Sequence, residues 1–358
     1  MPISAVDTIS LAFQHAKRQL IQPFRFGQWV RLAIVGLLAG EMGSGGSFNF
    51  PSSFNPQHQT PSHHFFAPAF PNIDPAILGA LIAVLVVTGL IFMIVMLYVS
   101  SVMRFILFDS VLTKECHIRD GWNRRQGPGW KYFLWQLCFT FATFALAVLV
   151  FGVPAALAWA MGWFNQPRQH LAPLIVGGIL LFFVALLFFI AVALVHVFTK
   201  DFVVPQMALE GVGPIEGWRR LWAMIQAEMS GYAAYIGMKI VLAIGAGIVV
   251  GIVTIILALI IAIPTVAVAI AAVFTGKSAG LTWNVFTITA AVIAACILFA
   301  MFMFLIALIS VPVIVFFPAY AIYFFAARYR MLSLALYPPP TTPAGPPPQE
   351  PPPLPATA

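Results

Sequence analysis

Residues 285–327 read VFTITAAVIAACILFAMFMFLIALISVPVIVFFPAYAIYFFAA, and this run contains no charged side chain. A helix needs about 20 apolar residues to cross the ~30 Å hydrocarbon core of a bilayer, so the run is more than long enough. Four more long apolar runs precede it in the chain, at 76–108, 132–163, 171–198 and 232–274. Together these runs predict a protein built around membrane-spanning helices.

The composition of the whole chain leads to the same prediction. Apolar residues make up 61% of the 358 residues and charged residues 8%, against about 45–50% and about 25% in ordinary soluble proteins. So few charged side chains cannot cover the core of a soluble fold of this size, which excludes that class. The net charge of +7 does not indicate a nucleic-acid partner, because the basic residues bracket the apolar runs and form no separate patch.

We therefore expect an all-α fold, a polytopic transmembrane helical bundle of about six spans with an N-terminal interfacial amphipathic helix. The first 22 residues form that helix, with Ile3, Val6, Ile9, Phe13 and Leu20 at helical spacing. Residues 23–336 form the transmembrane domain, and the Pro-rich residues 337–358 form a disordered tail. The predicted spans lie near 26–41, 76–106, 132–162, 171–198, 232–264 and 287–326, with an outer loop at 42–75 and inner loops at 107–131 and 199–231.

Two of these segments leave alternatives open. Residues 28–40 are apolar but short, so this segment is either a first span or a re-entrant piece. Residues 232–274 are long enough for two spans, although a single helix containing Pro264 is the simpler interpretation because no polar turn interrupts the run.

The positions of the basic residues predict the orientation. All Lys and Arg except Arg168, Lys239 and Lys277 fall on segments that six spans would place on one side of the membrane. Basic residues concentrate on the cytoplasmic side of membrane proteins. This pattern favours cytoplasmic N- and C-termini in the inner (plasma) membrane of a cell.

A short motif recurs before three of the predicted spans. Each copy is Trp-x-Arg shortly after a glycine, and each stands on the predicted cytoplasmic side. An indole ring settles at the headgroup level, and an arginine offers a planar fork of donors to phosphate. The candidate contacts for an anionic headgroup or ligand are therefore Trp29, Arg31, Trp122, Arg124, Arg125, Trp218, Arg219 and Arg220. The alternative is generic anchoring of the helix ends.

The acidic residues near these motifs, Asp109, Asp120, Asp201 and Glu216, are expected to pair with the arginines. No phosphate-binding loop, nucleophile elbow or metalloprotease motif is present, so we expect no catalytic residue, no cofactor and no metal site. Lys239 and His196 lie near span ends and are interpreted as interfacial.

Gly247 and Gly251, four residues apart, are typical of a close-packing helix face and suggest packing within the bundle or a homo-oligomer.

The layout carries a resemblance to a known group. An amphipathic N-terminal helix, the stretch PFRFGQWVRL at 23–32, about six spans and Gly-Trp loops with arginines follow one another. This order resembles poorly characterised bacterial polytopic membrane proteins similar to the membrane domain of glycerophosphoryl diester phosphodiesterases, over residues 1 to about 335. The resemblance implies an all-helical inner-membrane domain, and it carries over no catalytic residue.

The sequence is compatible with three functions. The first is a non-enzymatic role in organising membrane lipids or partner proteins through a basic cytoplasmic face. The second is a transporter or channel for a lipid-like or small anionic solute, and the third is an enzyme acting on lipid headgroups. A continuous polar cavity would favour transport, a sealed apolar bundle would favour organisation, and acidic residues around an open cleft would favour the enzyme.

Overall fold

The computed structural model describes residues 4–41, 75–164, 168–278 and 285–337, and within these ranges the chain is helical with no strand. The predicted outer loop, up to residue 74, and the tail from residue 338 lie outside the described residues. In chain order the α-helices are α1 Asp7–Leu20, α2 Phe26–Leu38, α3 Pro75–Thr113, α4 Ile118–Ala147, α5 Val153–Ala160, α6 Leu171–Phe198, α7 Val204–Glu210, α8 Pro214–Ala227, α9 Met229–Ser278, α10 Val285–Ala326 and α11 Arg330–Leu336. Two π-helical turns, Val148–Gly152 and Thr199–Val203, join α4 to α5 and α6 to α7.

The all-α polytopic prediction is confirmed. In the described ranges five continuous helical stretches are long and apolar enough to cross a membrane, and each contains an 18-residue window with a mean hydropathy of at least 2.2. They are Ile77–Thr113, Ile118–Ala160, Leu171–Glu210, Met229–Ala272 and Phe286–Ala326. Helix α2 is a sixth, shorter apolar helix.

The two ends of each long helix differ in how much of their surface is buried by protein. In four of the five stretches no residue of the most apolar window is buried by protein. Large apolar side chains left uncovered over such a length are compatible with lipid and not with water. At their other ends the helices converge with α1 and α2 into one buried core, which we call the packed end. Phe202 lies there with its ring centroid 5.1 Å from those of Tyr235 and Phe325.

Helix α2 lies beside the last turns of α3 and runs antiparallel to it. Its first-turn residue Gln28 donates to the carbonyl of Lys114 at 2.6 Å, whereas Arg104 donates to the carbonyl of Ala39 at 3.2 Å. Just beyond α2, Glu41 forms an ion pair with Lys200. The predicted topology places Glu41 at the outer end of a first span and Lys200 on the inner side. The ion pair corrects this prediction, because two residues on opposite sides of a membrane could not contact each other.

The predicted inner loops are also mostly helical. Helix α3 continues to Thr113, α4 begins at Ile118, and the second predicted loop contains a π turn, α7 and α8. Residues 232–274 belong to the single continuous helix α9, which includes Pro264. The structure thus settles the open alternative in favour of one helix, because an interior proline costs one hydrogen bond without ending a long apolar helix.

Helix α1 packs against α10, and the face that it buries differs from the predicted apolar face. The buried residues of α1 are Thr8, Ala12, His15, Ala16, Gln19 and Leu20. Of the predicted stripe only Leu20 is buried, whereas Val6 and Phe13 are exposed and Ile3 lies outside the described residues. Small side chains let the two helices approach, which explains why the alanine face is the one that contacts protein.

Candidate functional site

The three Trp-x-Arg motifs all lie at the packed end, and their tryptophans contact protein. The indole nitrogen of Trp29 donates to the carbonyl of Leu20 at 2.9 Å, and that of Trp218 donates to the hydroxyl of Thr199 at 3.0 Å. The ring of Trp122 meets the ring of Tyr98 edge-on at 6.1 Å. Each indole therefore joins its helix to a neighbouring element, in addition to any contact with lipid.

Arg124 and Arg125 in α4 share one acidic partner, Asp109 of α3. Arg125 binds both carboxylate oxygens of Asp109, at 2.7 and 2.6 Å, and donates to the carbonyl of Ala208 in α7 at 2.7 Å. Arg124 contacts the same carboxylate at 2.9 Å with its side chain 65% exposed, against 14% for Arg125. Arg125 therefore ties three helices together, whereas Arg124 keeps most of its guanidinium free for another ligand.

Arg219 and Arg220 in α8 follow a similar pattern. Both contact Glu216 one turn earlier, at 2.7 and 2.9 Å, and Arg220 also contacts Glu210 of α7 at 2.5 Å. Arg219 is the most exposed of the motif arginines in these ion pairs, with 79% of its side chain accessible. The hydrogen bonds to Arg219 and Arg220 lower the pKa of the Glu216 carboxyl and keep it charged.

The second and third motifs meet across α7. Arg125 bonds to Ala208 and Arg220 to Glu210, so the two pairs of arginines flank one short helix. We call Arg124, Arg125, Arg219 and Arg220 the basic face. Arg31 of the first motif instead donates to the carbonyl of Cys116 at 3.3 Å. The structure thus brings together two of the three predicted motifs.

The glycines of these two motifs mark close contacts between helices. A Cβ atom added at Gly121 would lie 3.1 Å from the side chain of Ile106, and one added at Gly217 would lie 2.8 Å from that of Val203. At Gly27, in the first motif, the same position is open. The second and third motifs therefore resemble each other in packing as well as in sequence.

The acidic residues do not line an open cleft in the described part of the chain. Asp109 and Glu216 are paired with the basic face as expected, and Asp120 is exposed on the first turn of α4. Asp201 pairs instead with Lys239, which is buried and does not lie at the interface as its position near a span end predicts. No group of three or more His, Cys, Asp or Glu that could hold a metal ion occurs among the described residues.

A second group of charged side chains is buried in the packed end, and no sequence motif indicates that its members lie together. Its members come from α3, α9, the π turn before α7 and the short segment that follows α2, and we call it the charge cluster: Glu41, Arg104, Lys200, Asp201 and Lys239. Lys200 pairs with Glu41, Lys239 pairs with Asp201, and the hydroxyl of Tyr235 donates to Asp201 at 2.9 Å. Buried ionisable groups inside membrane helices are costly and commonly functional.

Arg104 has a different environment from the two lysines. It donates to the hydroxyl of Tyr132 at 2.5 Å and to the carbonyl of Ala39, and both of these partners are neutral. Among the described residues no carboxylate lies within ion-pair distance of it. Its Nε atom and the Oε1 atom of Glu41 are buried without a hydrogen-bond partner.

A small cavity lies between these side chains. It has a volume of about 30 Å³ and is lined by four members of the charge cluster, Glu41, Arg104, Lys200 and Asp201, with apolar side chains around them. A water molecule needs about 10–15 Å³ of such space. The cavity therefore holds two or three particles of water size and is too small for a lipid headgroup.

The π turn Thr199–Val203 supplies two adjacent members of the charge cluster. A π-helical turn widens the helix by one residue and is frequent at functional sites. Here Lys200 and Asp201 both line the cavity although they are neighbours in the chain. One feature of the sequence could have indicated the charge cluster. Glu41, Arg104 and Lys239 are charged residues that interrupt or border apolar runs.

A model described as a family of unknown function, DUF7544, matches residues 3–335. No curated protein and no solved structure matches the chain. The match covers nearly the same residues as the predicted resemblance, and it shows no link to glycerophosphoryl diester phosphodiesterases.

Proposed function

Since the chain belongs to the DUF7544 family of unknown function, we propose that it is a non-enzymatic membrane protein that organises anionic lipids through its basic face. One observation carries the proposal. Arg124 and Arg219 keep 65% and 79% of their side chains exposed although each contacts a carboxylate. Both residues can thus bind a phosphate while they keep their contacts with Asp109 and Glu216.

The surroundings of the basic face support a lipid ligand over a soluble one. Trp130 and Trp222, on the same two helices as the arginines, are more than half exposed. Exposed indoles beside arginines are typical of the boundary between headgroups and acyl chains. Arginine forks bind phosphate oxygens in pairs, and clustered basic residues next to membrane helices attract anionic lipids.

The proposal includes a cellular placement that follows from the charge distribution. Cytoplasmic N- and C-termini in the inner membrane put the basic face at the anionic inner leaflet. The resemblance to the membrane domain of glycerophosphoryl diester phosphodiesterases is compatible with a role beside lipid headgroups. A homo-oligomer through Gly247 and Gly251 also belongs to the proposal, since the space next to both glycines is open.

A transporter of small anionic solutes is the second candidate. The observation that favours it is the charge cluster, in which a buried arginine without an ion-pair partner lines a small cavity together with three other charged side chains. Against it, the cavity is about 30 Å³ and does not form a passage along the apolar windows. The organising role therefore has the better support.

Native mass spectrometry of the protein purified with its lipids tests the leading proposal. We compare wild type, the double variant Arg124→Ala/Arg219→Ala, and the control Lys17→Ala/Arg18→Ala, which loses the same charge from α1. We expect bound phosphatidylglycerol to fall several-fold in the first variant and to stay near wild type in the control. Equal retention in all three proteins would leave the motifs as anchors, and an equal loss in both variants would show a non-specific effect of charge.

A further inference from the structure

The charge cluster is not neutral. Three cations, Arg104, Lys200 and Lys239, face two carboxylates, Glu41 and Asp201, which leaves one net positive charge. The two lysines have the two carboxylates as direct partners. The excess charge therefore belongs to Arg104, which bonds only to the neutral groups Tyr132 and Ala39 among the described contacts.

An arginine without a direct ion-pair partner is energetically costly in this position. Its relative exposure is 7%, and it lies nine residues before the end of a membrane-spanning helix. Removing a charge from water costs several kcal/mol per ion even after relaxation of the protein. A buried arginine is always protonated, so it cannot escape this cost by losing its proton. A counter-ion in contact with the guanidinium would reduce this cost further.

The cavity provides the space for that counter-ion at the right position. Arg104 lines the cavity and keeps its Nε donor without a partner. The volume of about 30 Å³ admits one small ion and one water. The orphan Oε1 atom of Glu41 needs a donor, and a water next to the ion can supply it.

We propose that the cavity is a binding site for one chloride-sized monovalent anion, held by Arg104 and accompanied by a water that donates to Glu41. A volume of about 30 Å³ favours a monatomic anion over phosphate and larger oxyanions. The net charge of the charge cluster excludes a cation. This site is separate from the basic face, so the proposal does not depend on lipid binding.

Thermal unfolding in detergent, followed by tryptophan fluorescence, tests the site with sodium chloride and sodium bromide as probes. Sodium gluconate keeps the ionic strength constant, because gluconate is too large for the cavity. We expect Tm to rise by about 2–4 °C and to saturate as chloride or bromide replaces gluconate. The variant Arg124→Gln, which loses an exposed cation of the basic face, is the control and should respond like wild type.

Two variants of the charge cluster should change the response in opposite directions. Arg104→Gln removes the anion's partner, so the dependence of Tm on chloride should disappear. Glu41→Gln removes a neighbouring negative charge, so half-saturation should occur at a several-fold lower chloride concentration. The second variant keeps the proposal falsifiable if Arg104→Gln does not fold.

Two outcomes would overturn the proposal. If wild type unfolds at the same temperature in chloride and in gluconate, the cavity holds water only. If Glu41→Gln leaves the chloride dependence unchanged, the anion binds elsewhere. Crystals grown in bromide give a direct check, since anomalous scattering should show a bromide ion within about 3.5 Å of the guanidinium of Arg104.

Discussion

Arg124 and Arg125 are neighbours in the chain and contact the same carboxylate of Asp109, yet their surroundings differ. Arg125 is mostly buried and also satisfies the carbonyl of Ala208, whereas Arg124 is largely in contact with solvent. Exposed ion pairs contribute little to stability, and removing one partner of a buried pair leaves an unpaired charge. At the scale of a residue, burial thus separates a structural arginine from one that is free for a ligand.

This difference gives a prediction for single variants. Arg125→Gln should lower the free energy of unfolding by about 3 kcal/mol, because Asp109 stays buried without its bidentate partner. Arg124→Gln should change it by less than about 1 kcal/mol. Unfolding in mixed micelles of increasing sodium dodecyl sulfate, followed by circular dichroism, measures both. Equal effects of the two variants would contradict the assignment.

His15 is the buried titratable group of α1. Its Nε2 lies 2.9 Å from the carbonyl of Val111, which can only accept, so Nε2 carries the hydrogen and Nδ1 accepts from the hydroxyl of Tyr323 at 3.1 Å. Burial lowers the pKa of His15 below its ordinary value of 6.5, and the positive charges of Lys114 and Arg18 act in the same direction. The neutral ring is the form that fits between α1, α3 and α10.

The stability of the packed end should therefore depend on pH through His15. Because the pKa is lower in the folded protein than in the unfolded chain, the unfolded chain binds more protons as the pH falls below 6.5. The contribution of His15 is fully present above that pH and is lost on acidification. We expect Tm to fall more between pH 7.5 and pH 5.5 in wild type than in His15→Gln. Equal falls in the two proteins would show that other groups control the pH dependence.

At the scale of elements, the contact between α2 and α10 depends on one glycine. A Cβ atom added at Gly36 would lie 2.6–2.7 Å from two side-chain atoms of Ile314, whereas one added at Gly27, on the same helix, would meet nothing within 4 Å. Both residues in the pair Gly36 and Ile314 are buried. The glycine thus fixes how closely the short helix approaches the long one.

Alanine substitutions at these two glycines should have opposite effects. Gly36→Ala should destabilise the protein by about 1–3 kcal/mol, since overpacking outweighs the gain in helix propensity. Gly27→Ala should be neutral or stabilising by up to about 1 kcal/mol, because alanine is the better helix former and no clash results. Micelle unfolding of the two variants and wild type measures this. A stabilising Gly36→Ala would mean that α2 does not pack against α10 in this way.

At the scale of the whole molecule, the described residues form a packed end and five long apolar stretches whose most apolar windows are almost entirely uncovered by protein. A soluble protein with this much exposed apolar surface would aggregate. The arrangement is stable only if lipid surrounds the apolar stretches, which leaves the packed end near the headgroups and water. The positions of the three native cysteines allow a test of this placement.

Cys138 and Cys296 lie on the uncovered parts of two long helices, and Cys116 is buried in the packed end, where burial raises the pKa of its thiol. In lipid nanodiscs we expect none of the three to react with a charged maleimide, because lipid or protein covers each one. All three should react after denaturation in sodium dodecyl sulfate, as intact mass spectrometry would record. As a positive control, Arg219→Cys should label within minutes, since that position is largely exposed to water.

A native reaction of Cys138 or Cys296 in nanodiscs would contradict the placement of those helices in the bilayer. A native reaction of Cys116 alone would instead show that the packed end opens. The two outcomes are distinguishable because each labelled peptide can be identified after digestion.

The sequence alone determined the fold class, because the length and hydropathy of a run are local properties that decide whether a helix can cross a bilayer. It also anticipated the ion pairs within or between consecutive helices, such as those of Glu216 with Arg219 and Arg220, since residues three or four apart share a helix face. The length of α9 was left as two alternatives, because a proline in a long apolar run permits either one helix or two.

Only the tertiary structure decided the charge cluster and the position of α2. Lys200 and Glu41 are 159 residues apart, and Lys239 and Asp201 belong to different helices. The contact of Glu41 with Lys200 depends on where the 13-residue helix α2 lies against the long helices, and hydropathy does not encode that position. The same holds for α1, in which alanines contact α10 while Phe13 stays outside. Helices in a membrane select their neighbours by close packing and polar contacts, which depend on the shapes of both surfaces.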